Sequence, residues 1–127
     1  MKGFQEFIGE SRKDSKTIII EDLEVWPLTL GEMTWPHAID VVENLGPDWR
    51  LPTIEEFKEI LYPNKEKLSI NYDSSYWSSS EINARLAWLF FFNDGYDFKH
   101  NKNYAYYVLA VRDHNIDSII NDIFRDF

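Results

Sequence analysis

Three histidines, a run of serines and two pairs of acids are the residues of this 127-residue chain whose types suit catalysis or metal binding. His37, His100 and His114 would serve metal ligation if two of them stood at HxxxH or HExxH spacing, and none do. Glu55 with Glu56, and Asp94 with Asp97, have the composition of a general acid and base. The first pair opens a helix, whose positive end favours carboxylates, and the second flanks a turn, so both have structural explanations. Ser78, Ser79 and Ser80 offer hydroxyls, but no GxSxG elbow surrounds them and no base is placed beside them. Serines after a strand commonly satisfy turn hydrogen bonds instead. Neither GxxxxGK[ST] nor GxGxxG occurs, so no known backbone device cradles a phosphate. The chain has no cysteine, which excludes thiolate catalysis, iron–sulfur clusters, cysteine zinc sites and a disulfide scaffold. The expectation is a protein without catalytic residues and without a cofactor.

The elements that must position these residues can be read from period and punctuation. Residues 17–20 are a β-branched run and 23–26 alternate apolar and polar, which predicts two strands, ended by Pro27, that need partners from elsewhere in the chain. Trp35, Ala38, Ile39, Val42 and Leu45 then fall at helical spacing, with Thr34 as cap, Pro36 in the first turn and Gly46-Pro47 as the stop. A second helix follows, because Thr53-Ile54-Glu55-Glu56 is a capping box; Ile54, Phe57, Ile60 and Leu61 are its apolar face and Pro63-Asn64 its end. Leu51-Pro52 between the two is held extended. Residues 65–75 read as an irregular polar loop, and 76–80 as a short strand or turn. Strands are predicted at 85–92 and 104–112, with Asn93-Asp94-Gly95 as a hairpin turn and 96–103 as a further strand or loop. Finally Ile116, Ile119, Ile120, Ile123, Phe124 and Phe127 share one face of a helix that must be covered. The fold class is α+β: two early helices, a small twisted antiparallel sheet with long loops, and an appended C-terminal helix.

The length suits one domain over 1–127, with a core at 17–112 and the helix at 113–127. Aromatics make up 17% of the chain, enough to fill that core without a metal or disulfide. The formal net charge of −9, with no basic stripe to offset it, argues against nucleic acid and anionic membranes as partners. Residues 1–16 lack secretory form, and the apolar stretch 86–92 is too short to span a bilayer. The default expectation is therefore a soluble cytoplasmic chain.

The most distinctive strings are Met33-Thr34-Trp35-Pro36-His37-Ala38, Asp48-Trp49-Arg50-Leu51-Pro52-Thr53 with Glu56 downstream, Tyr76-Trp77-Ser78-Ser79-Ser80, Ala87-Trp88 and Val108-Leu109-Ala110-Val111-Arg112. In order, over residues 29–112, they resemble the bacterial domain family typified by the C-terminal domain of Legionella collagen-like protein, also called the Fibrobacter paralogous domain. The resemblance implies a C-type-lectin-like fold, in a family often exported. The helix-opening string is also similar to formylglycine-generating, sulfatase-modifying enzymes, whose oxidation needs a cysteine pair and copper; without cysteine that activity does not carry over. The family's ordinary cysteine, near Val42, is absent too. Trp35, Trp49, Arg50, Pro52, Thr53, Trp77, Trp88 and Arg112, which carry the resemblance, are expected to be scaffold: tryptophans packing sheet on helices, arginines tying turns, Thr53 capping.

Lectin-like folds bind through a long-loop region, which implies Asn83, Arg85, Asn93, Asp94, Tyr96, Asp97, His100, Asn103 and Tyr104 as candidate ligand contacts. Their amides, carboxylates and aromatic rings suit polar recognition. Calcium-dependent lectins use a proline-containing loop and a Trp-Asn-Asp string; Tyr62-Pro63-Asn64 and Phe92-Asn93-Asp94 match these in part, making Asn93, Asp94 and Asp97 the calcium candidates. The expected function is non-catalytic recognition of a protein or glycan. The alternatives are self-assembly through Ile116, Ile120, Ile123 and Phe127 of the last helix, or an enzyme derived from the sulfatase-modifying fold.

Overall fold

The structure is a computed structural model that describes residues 16–114. Strands β1 (Ile18–Ile20) and β2 (Leu23–Val25) form a hairpin in which Ile20 pairs with Leu23, so β1 takes its partner from the neighbouring strand and not from elsewhere in the chain. Glu21 makes the reversal in the left-handed region, at φ 56°. β3 (Glu32–Met33) leads into helix α1 (Trp35–Glu43). Thr34 supplies the extended N-cap conformation of α1 but its hydroxyl makes no capping hydrogen bond, so the cap acts through backbone and Pro36 alone. Ala38 and Val42 are the buried stripe of this helix.

Helix α2 (Ile54–Glu56) opens with the complete capping box: the Glu56 amide donates to Thr53 Oγ1 at 3.0 Å, and the Thr53 amide donates to Glu56 Oε1 at 2.9 Å. Pro63-Asn64 does not end the winding. It relaxes through a π turn (Phe57–Leu61) into a 3-10 segment (Tyr62–Lys67) kinked at Asn64, so the polar loop begins later than the proline suggests. Proline is tolerated there because it stands at the start of the new segment, where no amide donor is needed.

Five strands complete the described residues: β4 (Ser75–Glu81), β5 (Leu86–Phe91), β6 (Tyr96–Asn101), β7 (Tyr106–Tyr107) and β8 (Val111–Asp113). They build two sheets, β1-β2-β8 and β3-β7-β4-β5-β6, not one. Nor is the larger sheet wholly antiparallel, since β4 and β7 run parallel with Tyr76 beside Tyr107. The predicted strand at 104–112 is divided: Tyr106 and Tyr107 belong to the large sheet and Val111 to Asp113 to the small one. Between them Val108 and Ala110 accept from the Leu30 and Trp26 amides, which keeps this buried crossing hydrogen-bonded.

The large sheet separates two apolar clusters. Tyr76 and Phe90 point to one side, with Phe57 and Leu61 of the α2 winding and Phe92. Trp77, Ala87 and Leu89 point to the other, with Ala38 and Val42 of α1, Trp49 and Leu51. This alternation along β4 and β5 follows from the two-residue period of a strand. The expected C-terminal helix, with Ile116, Ile120, Ile123 and Phe127, lies outside the described residues. No described helix is long and apolar enough to cross a membrane.

Candidate functional site

The residues carrying the sequence resemblance tie helices to strands and strands to one another. Arg50 donates to both carboxylate oxygens of Glu56, at 2.8 and 2.9 Å, and to Asp113 Oδ1 at 2.7 Å, while its backbone exchanges two 2.9 Å hydrogen bonds with Val111. These bonds raise the Arg50 pKa further and keep the guanidinium charged. Arg112 donates through Nε to Glu24 at 2.8 Å and lies over the Trp49 ring, 4.6 Å from its centroid. The Glu24 carboxyl is held below its usual 4.5 first by this bond from Arg112, with Thr17 assisting and burial opposing. Trp77 is fully buried and donates its indole N–H to the Met33 carbonyl at 3.0 Å; Trp35 donates to the Ser78 carbonyl at 2.9 Å. The serine run is engaged as well. Ser78 Oγ donates to the Trp88 carbonyl at 2.7 Å, and Ser80 Oγ accepts from the Ile54 amide at 2.9 Å.

The nine loop candidates do not form one group. β5 and β6 are paired along their whole length, from Phe91 with Tyr96 to Leu86 with Asn101. Asn93, Asp94, Tyr96 and Asp97 therefore lie at one end of β6, and Asn83, Arg85, His100, Asn103 and Tyr104 at the other, roughly 13 Å of strand away. At the first end Asp97 bonds Lys58 of the α2 winding at 2.9 Å, which raises the Lys58 pKa. Asn93 and Asp94 are exposed on the hairpin turn. Among the described residues no cluster of three or more acids and histidines is placed to hold a metal ion.

The second end is the more organised. His100 and Tyr104 meet edge to face with ring centroids 4.3 Å apart, and His100 Nδ1 is 3.1 Å from the Tyr106 hydroxyl. Burial pushes the Tyr106 pKa up, so the phenol stays protonated at neutral pH. The turns carrying these rings are locked by asparagine side chains. Asn83 Oδ1 accepts from the Arg85 and Leu86 amides, and Asn101 Oδ1 accepts from the Asn103 amide.

Lys102 anchors the arrangement and is the residue that sequence reading passed over. It is only 7% exposed. Its ammonium bonds Glu81 at 2.5 Å and the Asn83 carbonyl at 2.8 Å, and sits 4.3 Å from the Trp35 ring centroid. Its backbone accepts from Trp35 and donates to Arg85. One side chain thus ties α1, β4 and two turns together. The signal available was the string Asn101-Lys102-Asn103, a lysine between two turn-forming amides, which marks the turn but not the burial.

The arrangement presents Tyr104, 57% exposed, and the half-buried His100 on a surface flanked by Arg85, Asn83 and Asn103. Rigid rings beside fixed amides are what polar recognition requires. The family model of the Lcl C-terminal domain matches residues 12–112. The chain belongs to that family. The matched span of this Lcl C-terminal domain contains the Arg50–Glu56 and Arg112–Glu24 pairs and the Lys102 turn. No curated protein matches the chain.

Proposed function

We propose that this Lcl C-terminal domain is a non-catalytic recognition module of C-type-lectin-like fold, which binds a protein or glycan at the His100–Tyr104 end of its large sheet. The observation that carries this reading is the pre-set geometry there: rings in contact at 4.3 Å, on turns whose amides are already hydrogen-bonded and whose base is pinned by Lys102. A surface ordered before binding loses less entropy when the ligand arrives. Exposed aromatic faces pack on the apolar faces of sugars or side chains, while Arg85 and the Asn83 side-chain NH2 donate and Asn103 both donates and accepts. The reading assigns the domain no resident cofactor.

The test is a screen of the full chain against a glycan array and against extracts, in calcium and in EDTA, followed by the double variant His100→Ala with Tyr104→Ala. The expected result is loss of the hit, at least about ten-fold in affinity, with an unchanged melting temperature. Retained binding by the double variant removes this end as the site. Retained binding there combined with loss on changing Asn93, Asp94 and Asp97, and in EDTA, transfers the site to the hairpin turn and to calcium.

A further inference from the structure

Among the described residues β6 is the last strand of the large sheet, and its outer edge carries a specific pattern of backbone groups. The Lys102 amide donates to the Arg85 carbonyl at 2.8 Å, one step beyond the Leu86–Asn101 pair. Hydrogen-bonded and non-hydrogen-bonded pairs alternate in an antiparallel ladder. Tyr96, Phe98 and His100 therefore turn their N–H and C=O groups toward β5, and the residues between them, Asp97 and Lys99, turn theirs to the open edge. No described residue hydrogen-bonds the outward groups of these two.

We propose that β6 pairs with β6 of a second copy of this chain, antiparallel about a two-fold axis at Phe98. The occupant and the register both follow from charge. A two-fold axis normal to the sheet keeps each face continuous, so the outward residues must face one another across the interface. Centring the axis on Lys99 sets Lys99 against Lys99, and centring it on Asp97 sets Asp97 against Asp97. Centring it on Phe98 sets each Asp97 against the other copy's Lys99, twice, with all four outward N–H and C=O pairs matched. Although the chain carries −9 overall, the strand Tyr96-Asp97-Phe98-Lys99-His100-Asn101 contributes one acid and one lysine. Asp97 bonds Lys58 through Oδ2, which leaves Oδ1 for the incoming ammonium.

The same register places Tyr96 of one copy opposite His100 of the other and brings the two Phe98 rings together at the axis. It also joins what each single chain separates: the turn bearing Asn93 and Asp94 of one copy lies toward the Asn103–Tyr104 turn of the other. The dimer thus carries two equivalent composite faces. This extends the recognition reading, but the pairing itself rests on the strand edge alone.

Sedimentation of the full chain over a range of concentrations tests it, with amide exchange read residue by residue. The expected result is a monomer–dimer equilibrium in which protection of the Asp97 and Lys99 amides rises with concentration, while Phe98 and His100 are protected throughout. Asp97→Lys and Lys99→Asp should each weaken self-association by at least about ten-fold, and their equimolar mixture should recover it, because each copy then faces its opposite charge. Lys99→Pro, which removes an outward N–H and leaves the β5 ladder intact, should also give a monomer. A wild-type monomer at millimolar concentration overturns the proposal. So do charge variants that associate unchanged, or Asp97 and Lys99 amides protected equally at every concentration, as when the chain's own terminal residues cover the edge. Self-association without ligand binding defeats only the recognition reading; binding by a strict monomer defeats only this one.

Discussion

Arg50 and Lys102 are both cations tied to a carboxylate and a backbone carbonyl, yet they do different work. Arg50 uses its planar fork to bond both oxygens of Glu56 and to reach Asp113, so one side chain joins the start of α2 to β8. Lys102 concentrates its charge at a point. It settles over Trp35 and holds Glu81 and the Asn83 carbonyl, which leaves the neighbouring Arg85, Asn103 and Tyr104 exposed. A fork with fixed donor directions specifies how elements meet; an ammonium on a flexible stem can anchor a turn beneath a surface without consuming it. The comparison separates a region that holds the fold from a region that the fold holds up.

Removing each cation should expose that difference. Arg50→Ala leaves Glu56 with the Thr53 amide and removes the side-chain bond to Asp113 while keeping the backbone bonds to Val111, so a loss of about 2 kcal/mol is expected, chiefly from the half-buried Glu56 bonds and little from exposed Asp113. Arg50→Lys should recover less than half of it, since one ammonium cannot reproduce the paired bonds; urea denaturation measures both. A full recovery would mean that charge, not fork geometry, matters there.

Acid should attack the second arginine tie, the Arg112–Glu24 bond. The Glu24 carboxyl is lowered from 4.5 in the folded chain, so its stabilisation is complete above pH 4.5 and is lost as pH falls through the folded value. Stability should fall over that acid limb, and Glu24→Gln should flatten the fall. If the limb is unchanged in that variant, other carboxylates carry it.

The smallest stability effect is expected from Lys102→Met, which keeps the stem packed on Trp35 and breaks a pair whose Glu81 partner is half exposed. A cost below about 1 kcal/mol should accompany a clear drop in ligand affinity as the turns loosen. A cost equal to that of Arg50→Ala would make this turn part of the scaffold and erase the distinction.

The parts legible in the sequence are those whose physics is local. The capping box at Thr53 and Glu56 needs atoms three residues apart, and it stands as read. The hairpin turn at Asn93-Asp94-Gly95 closes with Gly95 at φ 74°, where its missing Cβ also gives Tyr62 room. Residues 104–112 read as one strand because aromatic and β-branched types continue unbroken; nothing in that composition says that Tyr106–Tyr107 and Val111–Asp113 join different sheets. The candidate site was legible as a set of residue types and not as a place. Whether His100 joins Asp97 or Tyr104 depends on the length of β6, since both are near it in the chain.

By itself the sequence determined the family motifs, the α1 stripe, the start of α2, the Asn93-Asp94-Gly95 hairpin turn and an acidic, cysteine-free composition, because propensity, capping and turn chemistry act over a few residues. Only the tertiary structure decided that β4 and β7 run parallel, that Arg50 meets Asp113, that Lys102 is buried over Trp35 and that the loop residues part toward the two ends of β6. Each of these depends on which elements meet and in what register, and register is settled when whole faces are buried together rather than by any one residue.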